Sequence, residues 1–193
     1  MSAPATIWTG TTLLDLRNPD PDDIHIEDIA RGLSRAPRFA GQTEVPLSVA
    51  EHCLLCEEIA RHWPGTPRGR LAMLLHDAPE AYICDLPSPL KAVLPDYERI
   101  EARLLDAVWT RFSLPRGRGG APVFDARIDA MALGIERRAC LPGSLGIGAA
   151  WTDPPPPPDW APTAAGGRDP DFVRQRFLYT AEMLIGCTEE VRG

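Results

Sequence analysis

Between the proline and glycine breaks of this chain, apolar residues recur at spacings of three and four, the period of helices rather than of strands. Ile26, Ile29, Ala30 and Leu33 make the first such face after Asp22-Asp23, ending near Ser34. A loop from Arg35 to Leu47 follows. Ser48 and Glu51 then have the spacing of a capping box, which opens a second helix running to about His62 and closed by Trp63-Pro64-Gly65. A third begins at Pro67 or Arg68 and carries the densest apolar run, Leu71 to Leu75, just before His76-Asp77. Pro79 falls inside that helix, where the missing N–H predicts a kink.

The prolines of the stretch from Cys84 to Pro89 predict a loop, and a fourth helix runs from Asp96 to about Phe112 with Ile100, Leu104 and Val108 on one side. Arg116 to Gly120 is a basic, glycine-rich surface turn. The fifth helix, from about Val123 to Cys140, has an apolar face (Ile128, Met131, Ala132, Ile135) and a polar one carrying Asp125, Asp129 and Glu136. Residues 142–168 form a long Gly-, Ala- and Pro-rich loop that includes the run from Pro154 to Pro158, and the last helix opens at Asp169-Pro170 and closes at Gly186. No stretch reads as a sheet and no repeat is present. The expectation is an all-α helical bundle in a single domain, 1–193.

Composition narrows the function classes. At 193 residues with 44% apolar and 24% charged residues, the chain is neither disordered nor fibrous, and no apolar run approaches the length of a membrane span. No secretory signal is evident in the first twenty residues, which points to a cytoplasmic protein. A net charge of -7 without any long Lys/Arg run disfavours duplex nucleic acid as a partner. Five cysteines in no even framework read as free thiols, and Cys53-x-x-Cys56 as core, because a structural zinc site needs a second pair. Lys91 is the one lysine beside 19 arginines.

The four histidines are His25, His52, His62 and His76. His76-Asp77 follows a strongly apolar helix, where an ionisable pair is costly unless paired or metal-bound. His52 sits one turn inside the capped second helix, and the short connection after it brings the second and third helices side by side. Asp129 supplies a further carboxylate. Two imidazoles and two carboxylates suit manganese, cobalt, iron or zinc, with magnesium also possible. An isolated His-Asp dipeptide is more often a structural ion pair; the co-occurrence with His52 tips the balance toward a metal.

The stretches SVAEHCLLC (48–56), LLHDAPEAYICDLPSPLK (74–91) and IDAMALGIERRACL (128–141), preceded by LSRAPRFAGQT (33–43), resemble the core motifs of HD-domain metal-dependent phosphohydrolases. The likeness is nearest to bacterial 5'-deoxynucleotidases and related phage nucleotide phosphohydrolases. It implies one divalent metal on His52, His76, Asp77 and Asp129, Glu80 handling the proton of the attacking water, and Asp85 near the sugar and leaving oxygen. Arg38 and Phe39 match a pair that contacts phosphate and stacks on the base, with Arg35 as an alternative phosphate contact and Lys91 as a further substrate contact.

Asp125 competes with Asp129 for the ligand role, and Glu136-Arg137 reads as a structural ion pair. The relatives' Gly-His after Arg-Phe is Gly41-Gln42 here, which leaves substrate choice open. The implied activity is hydrolysis of a small nucleotide, first a deoxynucleoside 5'-monophosphate. Alternatives are triphosphohydrolysis of a deoxynucleoside triphosphate, or a non-catalytic nucleotide-binding module. A helix face with Ile100, Leu104, Val108 and Trp109 would suit a homodimer.

Overall fold

A computed structural model of the chain describes residues 5–62, 65–145, 159–162 and 166–190. The proline run at 154–158 and the expected stop at Trp63-Pro64 lie outside them. The architecture is a helical bundle, as the periodicity predicts. The N-terminus departs from it: β1 (Thr6–Trp8) pairs antiparallel with β2 (Leu13–Asp15) in a small ribbon. Gly10, at φ +107, lets the connection between them turn tightly. The ribbon is clipped to the first helix through Asp28, which accepts from Thr9 Oγ1 at 2.7 Å and pairs with Arg31 at 2.6 Å. Strands of three residues leave too short an alternation to show in sequence.

Helices α1 (Ile26–Leu33), α2 (Val49–Arg61) and α3 (Pro67–Leu75) follow. Ser48 and Glu51 form the capping box reciprocally, so two orphan N–H donors at the start of α2 are satisfied. The third helix does not run through Pro79 with a kink. It ends at Leu75, and after a turn at His76–Pro79 a separate short α4 (Glu80–Ile83) begins with Pro79 as its cap. A proline lacks only the N–H that a helix's first residues leave unused, so it starts α4 at no hydrogen-bond cost. Ser88 and Pro89 likewise open a short α5 (Ser88–Lys91) where a loop is expected.

Helix α6 (Pro95–Arg111) and helix α7 (Ala126–Cys140) match expectation to within a turn, while α8 (Pro170–Glu190) runs straight through Gly186. A Cβ at Gly186 would meet nothing within 4 Å, so that glycine weakens the helix without stopping it. Asp169 Oδ1 accepts the N–H groups of Asp171 and Phe172, the expected cap.

Helix α2 is the axis of the molecule. On one side Val49, Ala50 and Cys53 join α1, α3, α6 and α8 in the main core around Leu74, Trp109 and Phe177. On its other side Leu55, Cys56 and Ile59 pack with Met73 and with Ile128, Ala132 and Ile135 of α7. A helix buried on both sides has no outer face for its polar residues, and His52 and Glu51 are therefore buried with partners. Leu104, Val108 and Trp109 are fully buried in the main core, and Ile100 packs against it. The dimer face expected there is core instead, because α6 turns that side inward.

Gly32 sets the position of α4. A Cβ at Gly32 would fall 2.5 Å from the Ala81 carbonyl oxygen, so only glycine lets α1 lie this close to the helix that carries Glu80.

Candidate metal centre and adjoining cavity

Four separate segments converge beside the α2 axis. Helix α2 supplies His52 and Cys56, the end of α3 supplies His76 and Asp77, α4 supplies Glu80, and α7 supplies Asp129 and Glu136. The turn after α1 brings Arg38 and Phe39, with Phe39 and Ala40 at φ 53 and 51. Non-glycine residues seldom hold such backbone, and its occurrence at a cavity wall is typical of functional turns.

The two imidazoles face each other, with their Nε2 atoms 3.3 Å apart. His52 Nδ1 lies 2.8 Å from Glu136 Oε1, and His76 Nδ1 lies 2.8 Å from the Met73 carbonyl oxygen. A carbonyl and a carboxylate only accept, so each Nδ1 carries the hydrogen and each Nε2 turns its lone pair inward. Around those lone pairs stand further acceptors: Asp77 Oδ2 is 3.4 Å from both Nε2 atoms, and Asp129 Oδ1 is 3.2 Å from His52 and 3.8 Å from His76. Acceptors packed against acceptors in a buried site require a positive charge between them.

Electrostatics give the same answer. Burial resists protonation of both imidazoles and Arg38 adds to that resistance at His52, yet Glu136, Asp77 and Asp129 outweigh it and push both histidines well above their ordinary range. Burial would raise Asp129 and Asp77, but the imidazoles hold both carboxyls below the usual range. The site therefore holds either protons or a cation. The His/Cys/Asp donor set fits a metal ion, and the atoms of His52, Cys56, His76 and Asp129 that face it lie within 4.8 Å of one another.

Beside this centre opens a cavity of about 440 Å³, lined by Arg38, Phe39, Asp77, Glu80, Asp85, Lys91 and Asp129 among others. Arg38 is nearly buried: it donates to Glu136 at 3.0 Å and faces Asp77 at 3.7 Å, while its Nε has no partner among the described residues. Glu80 accepts from Lys91 Nζ at 2.8 Å, yet its second carboxylate oxygen is buried without a partner among the described residues. Burial, with Asp77 and Asp85 adding like charge, pushes the Glu80 carboxyl up to about 8 despite Lys91. Asp85 is also raised, by burial first.

Most residues singled out in the sequence meet here. His52, His76, Asp77, Asp129, Glu80, Asp85, Arg38 and Phe39 all contribute to the centre or the cavity. Lys91 lines the cavity too, but its ammonium is engaged by Glu80 and by Glu101, each at 2.8 Å, so it holds Glu80 in place. Arg35 does not join them: it is exposed, pairs with Asp171 at 3.6 Å and lines a different depression. Asp125 is likewise excluded, since it caps α7 and binds Arg127.

Two residues carry more than their sequence context indicates. Glu136 is fully buried and grips His52 and Arg38, rather than forming a structural pair with Arg137, which donates to the Ser144 carbonyl oxygen at 3.0 Å. Its spacing of seven from Asp129, two helical turns, is the signal that placed it on the same face. Cys56 is core by burial, but its sulfur is 3.6 Å from His52 Nε2. Its spacing of four from His52 was the available clue.

No family model matches the chain. Two curated relatives do: an uncharacterized protein of Rhodobacter capsulatus, 51% identical over 107 residues, covering 53% of this chain and 55% of that protein; and the uncharacterized protein YfdR of Escherichia coli, 38% identical over 120 residues, covering 61% of each. The chain thus spans little more than half the length of the curated relatives it matches. Among the described residues no helix is long and apolar enough to cross a membrane. What these findings define is a helical protein whose buried His/Cys/Asp cluster can hold a metal ion, in keeping with an HD-type domain.

Proposed function

We propose that this protein is an HD-type metal-dependent phosphohydrolase of small nucleotides, with a deoxynucleoside 5'-monophosphate as its substrate and the deoxynucleoside and phosphate as products. The observation that carries the reading is the inward-facing pair of Nε2 lone pairs among aspartate oxygens, opening on a cavity that also presents Arg38 and Glu80. His52, His76, Asp77 and Asp129 would hold the ion, which when bound supplies Lewis acidity to a phosphoryl oxygen and acidifies water.

The remaining steps fall to the chain's own side chains. Glu80, once ionised, accepts the proton of the attacking water through the carboxylate oxygen that has no partner among the described residues. Arg38 offers to the phosphate the Nε–H that has no partner among the described residues, with its guanidinium aimed by Glu136. Phe39 gives a face for the base, and Asp85 reaches the sugar side of the same cavity. Lys91 keeps Glu80 aligned. A cavity of about 440 Å³ suits a mononucleotide-sized ligand.

The test is product release from ribo- and deoxyribonucleoside mono- and triphosphates after metal removal and separate readdition of manganese, cobalt, magnesium or zinc, with Asp77→Ala alongside. Orthophosphate from deoxymonophosphates, abolished in the variant, is expected. Inorganic triphosphate from a deoxynucleoside triphosphate would reassign the substrate. No turnover with any metal, while a nucleotide still raises the melting temperature, would instead make the chain a binding module.

A further inference from the structure

We infer that Cys56 is itself a ligand of the metal centre, making it a nitrogen, oxygen and sulfur site that selects a thiophilic ion such as zinc, cobalt(II) or iron(II) over magnesium. This rests on the reading that the His52/His76 cluster holds a divalent cation, and it goes beyond that reading by naming a fifth donor and the class of ion.

The placement comes first. Cys56 follows His52 by one helical turn, so both project from the same face of α2. Its Sγ lies 3.6 Å from His52 Nε2 but 4.0 Å from Nδ1, which puts sulfur on the side of the open nitrogen rather than the one committed to Glu136. The thiol is fully buried, so no solvent competes for it.

The spacings then discriminate between coordination shells. Bond lengths of about 2.0–2.1 Å to imidazole nitrogen and about 2.3 Å to sulfur give tetrahedral edges of about 3.3–3.4 Å for N···N and about 3.6 Å for N···S. An octahedral shell with the same bonds gives about 2.9 Å and about 3.1 Å. The observed 3.3 Å between the Nε2 atoms and 3.6 Å from Nε2 to Sγ match the wider spacings and exceed the octahedral ones. Asp129 Oδ1, at 3.2 Å from His52 Nε2 and 3.8 Å from His76 Nε2, and Asp77 Oδ2, at 3.4 Å from both, supply the oxygen donors beside these three. Sulfur in such a shell favours a borderline or soft ion, and magnesium demands octahedral oxygen. On loading, the S–H bond breaks, the proton leaves to solvent and a sulfur–metal bond forms, with no change of oxidation state.

Cobalt(II) gives a readout independent of turnover. The purified protein is stripped of metal, reloaded with one equivalent of cobalt(II) and scanned for visible d–d bands and for sulfur-to-cobalt charge transfer in the near ultraviolet. Wild type and Cys53→Ala are expected to show both features. Cys56→Ala and the nearly isosteric Cys56→Ser keep the visible bands, lose the charge-transfer band, and bind zinc about 10- to 100-fold more weakly; circular dichroism reports their fold. Visible bands without charge transfer in the wild type would overturn ligation by Cys56 and leave the metal centre standing. A band lost in Cys53→Ala would overturn it in favour of the neighbouring thiol. Failure to bind cobalt at all would overturn both this inference and the metal-site reading.

Discussion

His52, His76 and Glu136 stand on or at the end of regular helices, fully or almost fully buried, and every ring nitrogen not turned to the centre has a partner at 2.8 Å. Asp85 and Lys91, across the same cavity, stand on an irregular stretch and a four-residue helix, partly exposed, beside Cys84 at φ 67 and ψ 156. The floor is fixed by packing: α2 is clamped between two hydrophobic clusters, so its side chains cannot shift without opening a cavity in one of them. The rim is fixed by a few polar contacts and one strained residue. Rigid floor and adjustable rim divide the tasks of holding charge and fitting a substrate, and each substitution below tests one side of that division.

The largest effect is expected at the floor. Asp77→Ala removes an oxygen 3.4 Å from both Nε2 atoms, so metal content and turnover should each fall by more than about 100-fold. Elemental analysis of the purified variant, beside its rate, checks this. The same substitution should abolish metal-dependent stabilisation, which for the wild type reaches about 2.7 kcal/mol when free metal is 100-fold above its Kd. A variant that still gains stability with metal would show that Asp77 belongs to the rim.

Glu80 joins the two regions, being buried like the floor but placed on the short α4. Glu80→Gln should cost about 10²- to 10⁴-fold in kcat with little change in metal content. Its effect on stability has a definite sign. The folded-state value of about 8 lies above the ordinary 4.5, so the native protein keeps a proton that the unfolded chain releases. That contribution is complete below about pH 4.5 and is lost as pH rises through about 8. Metal-free Glu80→Gln should therefore become more stable relative to wild type between pH 5 and pH 9, on the order of 1–3 kcal/mol, in denaturant titrations at the two pH values. An unchanged difference would mean that Lys91 keeps Glu80 ionised throughout.

Glu136→Gln tests how the floor is aimed. It retains an acceptor for His52 Nδ1 but loses the charge that burial opposes and that His52 and Arg38 sustain, so a loss of about 10- to 100-fold in metal affinity is expected from competitive chelator titration. A loss confined to KM for nucleotide would assign Glu136 to Arg38 alone.

Floor and rim also differ in how far they could be read from the sequence. The floor was legible where its residues belong to a periodic segment: the capping box fixed the phase of α2, and with it the inward direction of His52. The two faces of α7 put Asp125 and Asp129 together, and the motif resemblance favoured Asp129. The fate of Glu136 and Cys56 was hidden, since local spacing shows which face a side chain shares but not what packs against that face. At the rim, Pro79 read as a kink within a helix and Pro87 and Pro89 as a loop, whereas all three stand at the starts of short helices. The choice between Arg38 and Arg35 depended on a turn with positive φ at Phe39 and Ala40, residue types with no preference for it. The dimer face failed for a related reason, because an apolar stripe on α6 does not say whether core or solvent lies opposite.

The smallest effect, and the most specific to the rim, concerns Cys84. Its φ of 67 and ψ of 156 fall where side chains other than glycine's are strained by about 1–3 kcal/mol, and the conformation is held by Tyr97, whose hydroxyl donates to the Cys84 carbonyl oxygen at 2.5 Å. Cys84→Gly removes that strain but adds backbone freedom worth about 0.5–1 kcal/mol to the unfolded chain. A net gain of about 1 kcal/mol follows, or about 2–4 °C in Tm for a chain of this size. Glycine keeps the same φ available, so Asp85 stays in the cavity wall and kcat/KM should change by less than about twofold. Cys84→Val should do the opposite, lowering Tm and raising KM, because a β-branched residue can relax only by moving Asp85. If glycine lowers Tm instead, the thiol itself holds the rim, and the division between a packed floor and a strained rim fails at this residue.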